Sequence, residues 1–437
     1  MSNKRIIASL LIALMVLATA ACQSNGDVNP GGNKETNPAG PVKVQAADLL
    51  ENFKAQTVPE KEADQAFIKA SFKLAASLLN QVYAGEKEQK KTLLLSPLSV
   101  ATALAMTANG AGGETLKQME NLLGSGISLG DYNVYLHTYL NRLSKAKGAA
   151  FSFANSIWFK DQADFVVEEA FLQQNVNYYD ASIRKAAFDL ETVRDINQWV
   201  AIKTHNMIPS LLDSLDDLDR MILINALVFE AKWEDPFEEG YKHKADFTNL
   251  AGKQQEVDYM NCTLYQYLED ESCTGFMKLY EGGEYGFVAL LPKNDKNFEG
   301  FVTGLSGSQL EQLMGNIQEC MTHISMPAFS YDYDASLVDV LRALGMTEAF
   351  VPNQADFSGI SKSTPLYISD VIHKTHIDVD SEGTKAAAVT AIEMKAGSAM
   401  PVQEPKVVTL DRPFVYMIVD VNTGLPVFIG TVTDLGN

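Results

Sequence analysis

Met221 to Phe229 reads Met-Ile-Leu-Ile-Asn-Ala-Leu-Val-Phe, an apolar run interrupted by one polar side chain, Asn225. Successive side chains of a strand point to opposite faces, so a strand apolar in both phases has to be covered on both. That excludes a solvent-facing sheet or an exposed edge for this segment. The chain must supply a layer on each side. With 437 residues, 46% of them hydrophobic, it has the material for a large core.

The order of elements follows from periodicity. Helical spacing of Phe67, Phe72, Leu74, Ala75, Leu78 and Leu79 predicts a first helix over Asp64–Tyr83. Ser96-Pro97 opens a second, with Pro in its first turn, ending near Asn109-Gly110. Gly113-Glu114-Thr115 starts a third, running to Leu123, and Ile196–Leu212 is a fourth. Phe151–Phe159 is strand-like. From Met221 onward strands dominate: 256–260, 275–280, 286–291, 322–330, 366–376, 407–410, 414–421 and 427–432, with one helix over Ala335–Leu344. Helices first and strands later, with no internal repeat and no second linker, indicate one α+β domain over 61–437.

The N-terminus is a targeting signal. Lys4 and Arg5 precede an apolar run from Ile6 to Leu17, followed by Ala18-Thr19-Ala20-Ala21 and Cys22. The run is too short for a permanent membrane span and has signal-peptide form over 1–21. A Cys directly after small residues resembles a bacterial lipoprotein cleavage site, with Cys22 lipidated; the usual Leu three residues before it is Thr19 here. Ordinary secretion is the other reading. The expected location is outside the cytoplasm, as an outer or cell-surface membrane lipoprotein or a secreted protein. Gln23 to about Pro41 is Asn-, Gly- and Pro-rich, so 22–60 is expected to be a flexible tether. Lys plus Arg number 35 and Asp plus Glu 55, a net charge of −20. That argues against nucleic-acid partners and against electrostatic hold on an anionic membrane, leaving the lipid anchor as the membrane contact. Cys262, Cys273 and Cys320 remain, an odd number. Cys262 and Cys273 either bridge across a hairpin or stay as buried thiols.

One segment carries two readings. Every second residue from Thr384, namely Ala386, Ala388, Thr390, Ile392 and Met394, is uncharged, while Lys385, Glu393 and Lys395 fall in the other phase with Ala387, Val389 and Ala391. This is a strand pattern with a small inward face. Yet the segment opens on Glu382-Gly383 and runs into Lys395-Ala-Gly-Ser-Ala-Met-Pro401, as an exposed loop would. A loop that switches into a strand, an Ala-rich surface helix and a plain linker are the open readings.

Glu382-Gly383-Thr384-Lys385-Ala386-Ala387-Ala388-Val389-Thr390 resembles the proximal hinge of the reactive-centre loop of an inhibitory serpin. The resemblance continues through Ser96-Pro97-Leu98-Ser99, Gly110–Thr115, Asn155–Phe159, Ile196–Val200, Asn225–Phe229 with Trp233 and Pro236-Phe237, Ala355–Ile360, Asp411–Phe414 and Phe428–Gly430. It spans roughly Ala63 to Leu435 with its motifs in order. It implies the serpin fold, helices packed around three β-sheets with an exposed reactive-centre loop.

It also implies a suicide inhibitor of serine proteases, extending to cysteine proteases, rather than an enzyme: a monomer that forms a covalent complex with its target protease, without metal or cofactor. The hinge would be Glu382, Gly383, Thr384, Ala386, Ala387, Ala388 and Thr390. The family's spacing sets the reactive bond at Gly397-Ser398, with Lys395 and Met394 as alternatives. Ser96, Ser99, Asn225 and His373 would form the shutter, a polar cluster beneath the strands that part, and Trp233 the breach, where insertion begins. Two departures stand together: the family usually has Glu at the position of Ser381 and Lys at that of Ala328, forming an ion pair. A non-inhibitory serpin-fold binding protein is the rival class, usually marked by bulky or charged inward hinge residues, which are absent here. Gly126-Ile-Ser-Leu-Gly130 matches the hydrolase elbow pattern but follows a helix instead of a strand. His373 and His376, three apart on a strand, point to opposite faces and make a poor metal pair.

Overall fold

The computed structural model describes residues 44–86, 92–179, 182–293, 297–384 and 404–436. In chain order the helices are α1 Gln65–Glu86, α2 Pro97–Ala108, α3 Gly113–Gly124, α4 Leu129–Leu143, α5 Glu169–Tyr178, α6 Leu190–Lys203, α7 Phe298–Gly304, α8 Gly307–Gly315 and α9 Val338–Ala343. The strands are β1 Ala47–Asp48, β2 Leu93–Leu95, β3 Ala149–Lys160, β4 Ser182–Ala186, β5 Met221–Lys232, β6 Lys242–Thr248, β7 Gln254–Glu269 and β8 Cys273–Leu279. They continue with β9 Tyr285–Pro292, β10 Gln318–Pro327, β11 Phe329–Ser336, β12 Ile368–Val379, β13 Gly383–Thr384, β14 Lys406–Thr409, β15 Phe414–Asp420 and β16 Pro426–Val432.

Two hydrogen-bonded sheets result. The first has the order β1-β4-β3-β5-β13-β12-β11, and the second runs β14-β10-β7-β8-β9-β15-β16-β2 with β6 on β7. β7 is sixteen residues long. Its N-terminal part pairs with β6 and its last residues with β8.

β5 is covered on both faces, as its composition requires. Ile222, Ile224, Ala226 and Val228 pack with Trp158, Ile196, Trp199 and Val200 beneath α6. Leu223, Leu227 and Phe229 face the main core. Asn225 shares their phase, so its amide is held on the main-core side of the sheet. Large apolar side chains buried like these contribute on the order of 1.5–3 kcal/mol each.

Several sequence expectations shift. The strand expected over 322–330 is two strands in different sheets, β10 and β11. The break falls at Ala328, after Pro327, which has no N–H for a ladder. β11 continues through Ala335 and Ser336, pairing with His373 and Ile372, so the helix expected from Ala335 starts at Val338. The helix expected over 196–212 starts at Leu190, on an Asp189–Thr192 capping box, and ends at Lys203. His205 and Asn206 follow at φ 51° and 62°, left-handed conformations that stop a helix. Cys262 and Cys273 are free: the β7–β8 register puts Asp270 opposite Cys273, far along the strand from Cys262. Ser128 of the Gly126–Gly130 pattern is the N-cap of α4, accepting from the Asp131 N–H at 3.2 Å. Within 22–60, the residues from Val44 onward are docked. β1 pairs with β4, and Asp195 accepts from the N–H groups of Gln45 and Ala46. Residues 22–43 lie outside the described residues, as does the signal segment with Cys22.

Candidate functional site

β5 and β12 are parallel neighbours from Met221 and Ile368 up to Leu227 and Thr375. Above Thr375 they part, and β13 stands between them. Thr384 pairs with Val379 of β12 and with Ala231 of β5, and Gly383 pairs with Lys232. The seam is closed below and open above.

In the closed part the structure brings together the four polar residues that the resemblance assigns to a shutter. Ser96, Ser99, Asn225 and His373 are all fully buried. Ser96 caps α2, its hydroxyl accepting from the Ser99 N–H at 3.1 Å. The Ser96 N–H donates to His373 Nε2 at 3.2 Å. That nitrogen therefore carries no proton, and Nδ1 donates to Asn225 Oδ1. The Asn225 amide donates in turn to the Ile372 carbonyl at 3.2 Å. Burial pushes the His373 pKa down to about 3, so the ring is neutral.

Two further members escape the motif reading. The Ser99 hydroxyl donates to Asn155 Oδ1 on β3 at 3.0 Å, and Thr375 donates to the Leu94 carbonyl at 2.8 Å. Asn155 was visible as the one amide in the strand-like run Phe151–Phe159. The cluster thus ties α2 to β3, β5 and β12 at once. It is closed by hydrogen bonds that can be exchanged one for another, which apolar interdigitation does not permit.

The open part is built differently. Trp233 is buried, stacked on Tyr280 with centroids 4.5 Å apart and planes 9° from parallel. Its indole N–H donates to the Asp380 carbonyl at 2.9 Å, and its backbone N–H to the Glu382 carbonyl at 2.9 Å. The Phe237 N–H donates to the Ser381 carbonyl at 2.9 Å. Asp380 accepts from the N–H groups of Glu382 and Gly383 at 2.7 and 3.1 Å, shaping the turn from β12 into β13. Tyr280 and Thr384 share a hydroxyl hydrogen bond of 2.7 Å. A Cβ on Gly383 would stand 2.2 Å from the Ala231 carbonyl oxygen, so only glycine fits between the strands there.

Thus the structure describes Glu382, Gly383 and Thr384 of the expected hinge. Ala386, Ala387, Ala388, Thr390, Met394, Lys395, Gly397 and Ser398 lie outside the described residues. Ser381 and Ala328, where the family's ion pair is missing, are held through backbone groups; the Ala328 N–H donates to the Asp258 carbonyl at 2.9 Å. His376, on the opposite face from His373, has its Nδ1 2.8 Å from Asp332 Oδ1. Among the described residues no group of three or more His, Cys, Asp or Glu is arranged to hold a metal.

Comparison with known proteins agrees with this geometry. The family model described as serpin (serine protease inhibitor) matches residues 69–435. A serpin-like protein of Thermococcus kodakarensis is 32% identical over 345 residues, covering 77% of this chain and 79% of that protein. Iripin-5 of Ixodes ricinus is 31% identical over 362 residues, covering 79% and 90%. Among solved structures, the thermophilic serpin tengpin in its native state matches with a TM-score of 0.84 and 44% identity, over 90% of this chain and all of that one. Tengpin in its latent state matches less closely, with a TM-score of 0.75 and 40% identity over 86% of this chain.

Proposed function

The chain belongs to the serpin family, whose members are generally protease inhibitors rather than enzymes, and from that premise we propose that it is a suicide inhibitor of serine proteases. The observation that carries this reading is the position of Gly383–Thr384 between β5 and β12, while the same two strands pair directly below. An incoming strand has its first pairs made and a seam to follow.

The protease's serine oxygen attacks the carbonyl of the scissile bond. The C–N bond breaks, the new amine takes the proton, and the loop stays attached as an ester. The freed segment then continues the β13 register. Counting on from Thr384 opposite Ala231 sets Ala386 opposite Phe229, Ala388 opposite Leu227, Thr390 opposite Asn225 and Met394 opposite Met221, the foot of β5. Counted from Val379, Thr390 also falls opposite His373. Insertion would separate the His373–Asn225 pair and offer each the Thr390 hydroxyl. The small even-numbered residues would face the main core. The reactive bond is proposed at Gly397-Ser398, just past the foot of β5, with Lys395 or Met394 as alternative sites for trypsin-like or elastase- and subtilisin-like enzymes. The ester-linked protease would be drawn the length of the sheet before deacylation. We further propose that the protein acts as a monomer outside the cytoplasm, tethered through lipidated Cys22.

The test mixes the mature protein with trypsin, elastase, subtilisin and a papain-like protease and resolves the products by denaturing gel and mass spectrometry. The expected result is a stable covalent band and a C-terminal fragment beginning between about Ala396 and Met400. Clean cleavage by every active protease with no surviving complex would overturn the inhibitory reading and favour a serpin-fold binding protein.

A further inference from the structure

β7 has two edges. One pairs with β10 along Tyr259–Tyr267. The other pairs with β6 along Gln254–Met260 and with β8 along Tyr267–Glu269. Between those partners, Asn261–Gln266 have no strand on that edge among the described residues. The gap is about 20 Å long at strand rise. Tyr265, at the β10 register shift, has its N–H donating to the side chain of Gln266 at 3.4 Å. Asn261 Oδ1 is buried with no hydrogen-bond partner among the described residues. The open edge, with the adjoining sheet face at His323, Ser325, Val407 and Thr409, lines a cavity of about 1040 Å³ that the segment after Trp233, Lys278 and Leu279 also border. Lys278 reaches back to within 3.8 Å of Cys262 Sγ on β7.

We propose that this groove is a strand-docking site for an extended, lysine- or arginine-bearing segment of a partner protein. An unpaired strand edge offers alternating donors and acceptors that only another extended backbone satisfies in full. The charge of the lining selects the sign. Glu234, Asp235 and Glu238 are exposed along it. Among the described residues of the lining, the one buried cation, Lys278, is turned inward. Its ammonium donates to the Asp235 carbonyl at 2.7 Å and lies 4.5 Å from the Phe237 ring centroid. Tyr241 and Tyr265, 58% and 47% exposed, offer aromatic faces to a cationic side chain. The groove does not include the paired part of β5 and β12, but it adjoins the wedge above them through Phe237, whose N–H holds the Ser381 carbonyl.

The probe is a fluorescent hexapeptide of alternating threonine and lysine, blocked at both ends and titrated into the full chain. Two controls replace lysine by glutamate or N-methylate alternate backbone amides. The proposal expects saturable binding that weakens at least about tenfold with either control, and by about fivefold or more in a Glu234→Gln/Asp235→Asn/Glu238→Gln variant that melts like the parent. Amide exchange should slow at 261–266. Three results would each overturn it: no saturable binding; equal binding of the N-methylated or glutamate peptide; or protection along β5 and β12 with no loss in the triple variant.

Discussion

The lower and upper halves of the β5–β12 seam solve opposite problems with opposite chemistry. Below, the strands pair directly and a buried Ser96–His373–Asn225 chain locks them through exchangeable hydrogen bonds. Above, the strands are apart, and the gap is held by backbone bonds from Trp233 and Phe237 and by an aromatic stack. An apolar zipper along the whole seam would be harder to open, because every lost contact would leave a void. A polar lock can reopen at the cost of re-pairing. Under the proposed mechanism, the seam is closed where it would later open, and wedged where opening would begin.

The largest effect should come from the wedge. Gly383→Val places methyl groups where the Ala231 carbonyl already excludes a Cβ. Cleavage of the loop should continue at its usual rate, while the yield of covalent protease complex falls at least about tenfold. Gel quantitation with a protease that forms a complex with the parent measures both. Unchanged complex yield would mean that the upper gap is not where insertion starts.

Breaking the lock should cost stability first. His373→Ala leaves the Ser96 N–H and Asn225 without their buried partner and opens a cavity, for a loss of about 2–4 kcal/mol in a denaturant melt. The pH dependence sharpens this. The His373 pKa is depressed from 6.5 to about 3 in the folded chain, so the unfolded chain binds its proton first as pH falls. Stability from this group is complete above about pH 6.5 and is lost progressively from there toward pH 3. His373→Gln should flatten the difference between melts at pH 7 and pH 4; equal slopes would mean that the buried ring is not what titrates.

A smaller effect separates the two halves. Tyr280→Phe removes the hydroxyl bonded to Thr384 and keeps the ring stacked on Trp233. The loss should be about 1 kcal/mol, with faster amide exchange confined to 381–384. Faster exchange spreading to 223–227 would show that wedge and lock are one cooperative unit.

How much of this was legible in the chain depended on whether the cause was local. The double-faced apolar run gave β5 from its own pattern, while Asn225 was assigned to the lock only through the family resemblance. The start of α2 was legible because Ser96-Pro97 is local capping chemistry. What escaped was set from elsewhere. α4 carries Tyr132, Tyr135, Leu136, Tyr139 and Leu143 at helical spacing behind the Ser128 cap, a signal present in the chain but passed over. The end of α6 was misplaced because His205 and Asn206 adopt left-handed backbone without being glycine. The break at Ala328 depends on β10 and β11 belonging to different sheets, which no single strand announces. Asn155 joins the cluster through Ser99, fifty-six positions away. A constellation drawn from four elements is recovered from motifs only as far as each motif is already known.

The smallest effect concerns the missing ion pair. Ala328→Lys with Ser381→Glu would restore the charges usual at these positions. Ser381 already sits at 8% exposure with its carbonyl bonded to Phe237, so a carboxylate there must turn outward or lose solvation. Ion pairs at accessible positions contribute about 0–1 kcal/mol, and the backbone bonds at the wedge are already made without one. The double variant should therefore melt within about 1 kcal/mol of the parent, and its complex should form with the same protease more slowly by no more than a few-fold. The two single variants, each leaving one charge unpaired, should be less stable than the double. A double variant that is much more stable and that loses complex formation would show that the wedge is held by charge after all, and that uncharged Ser381 and Ala328 are what allow the upper half of the seam to stay open.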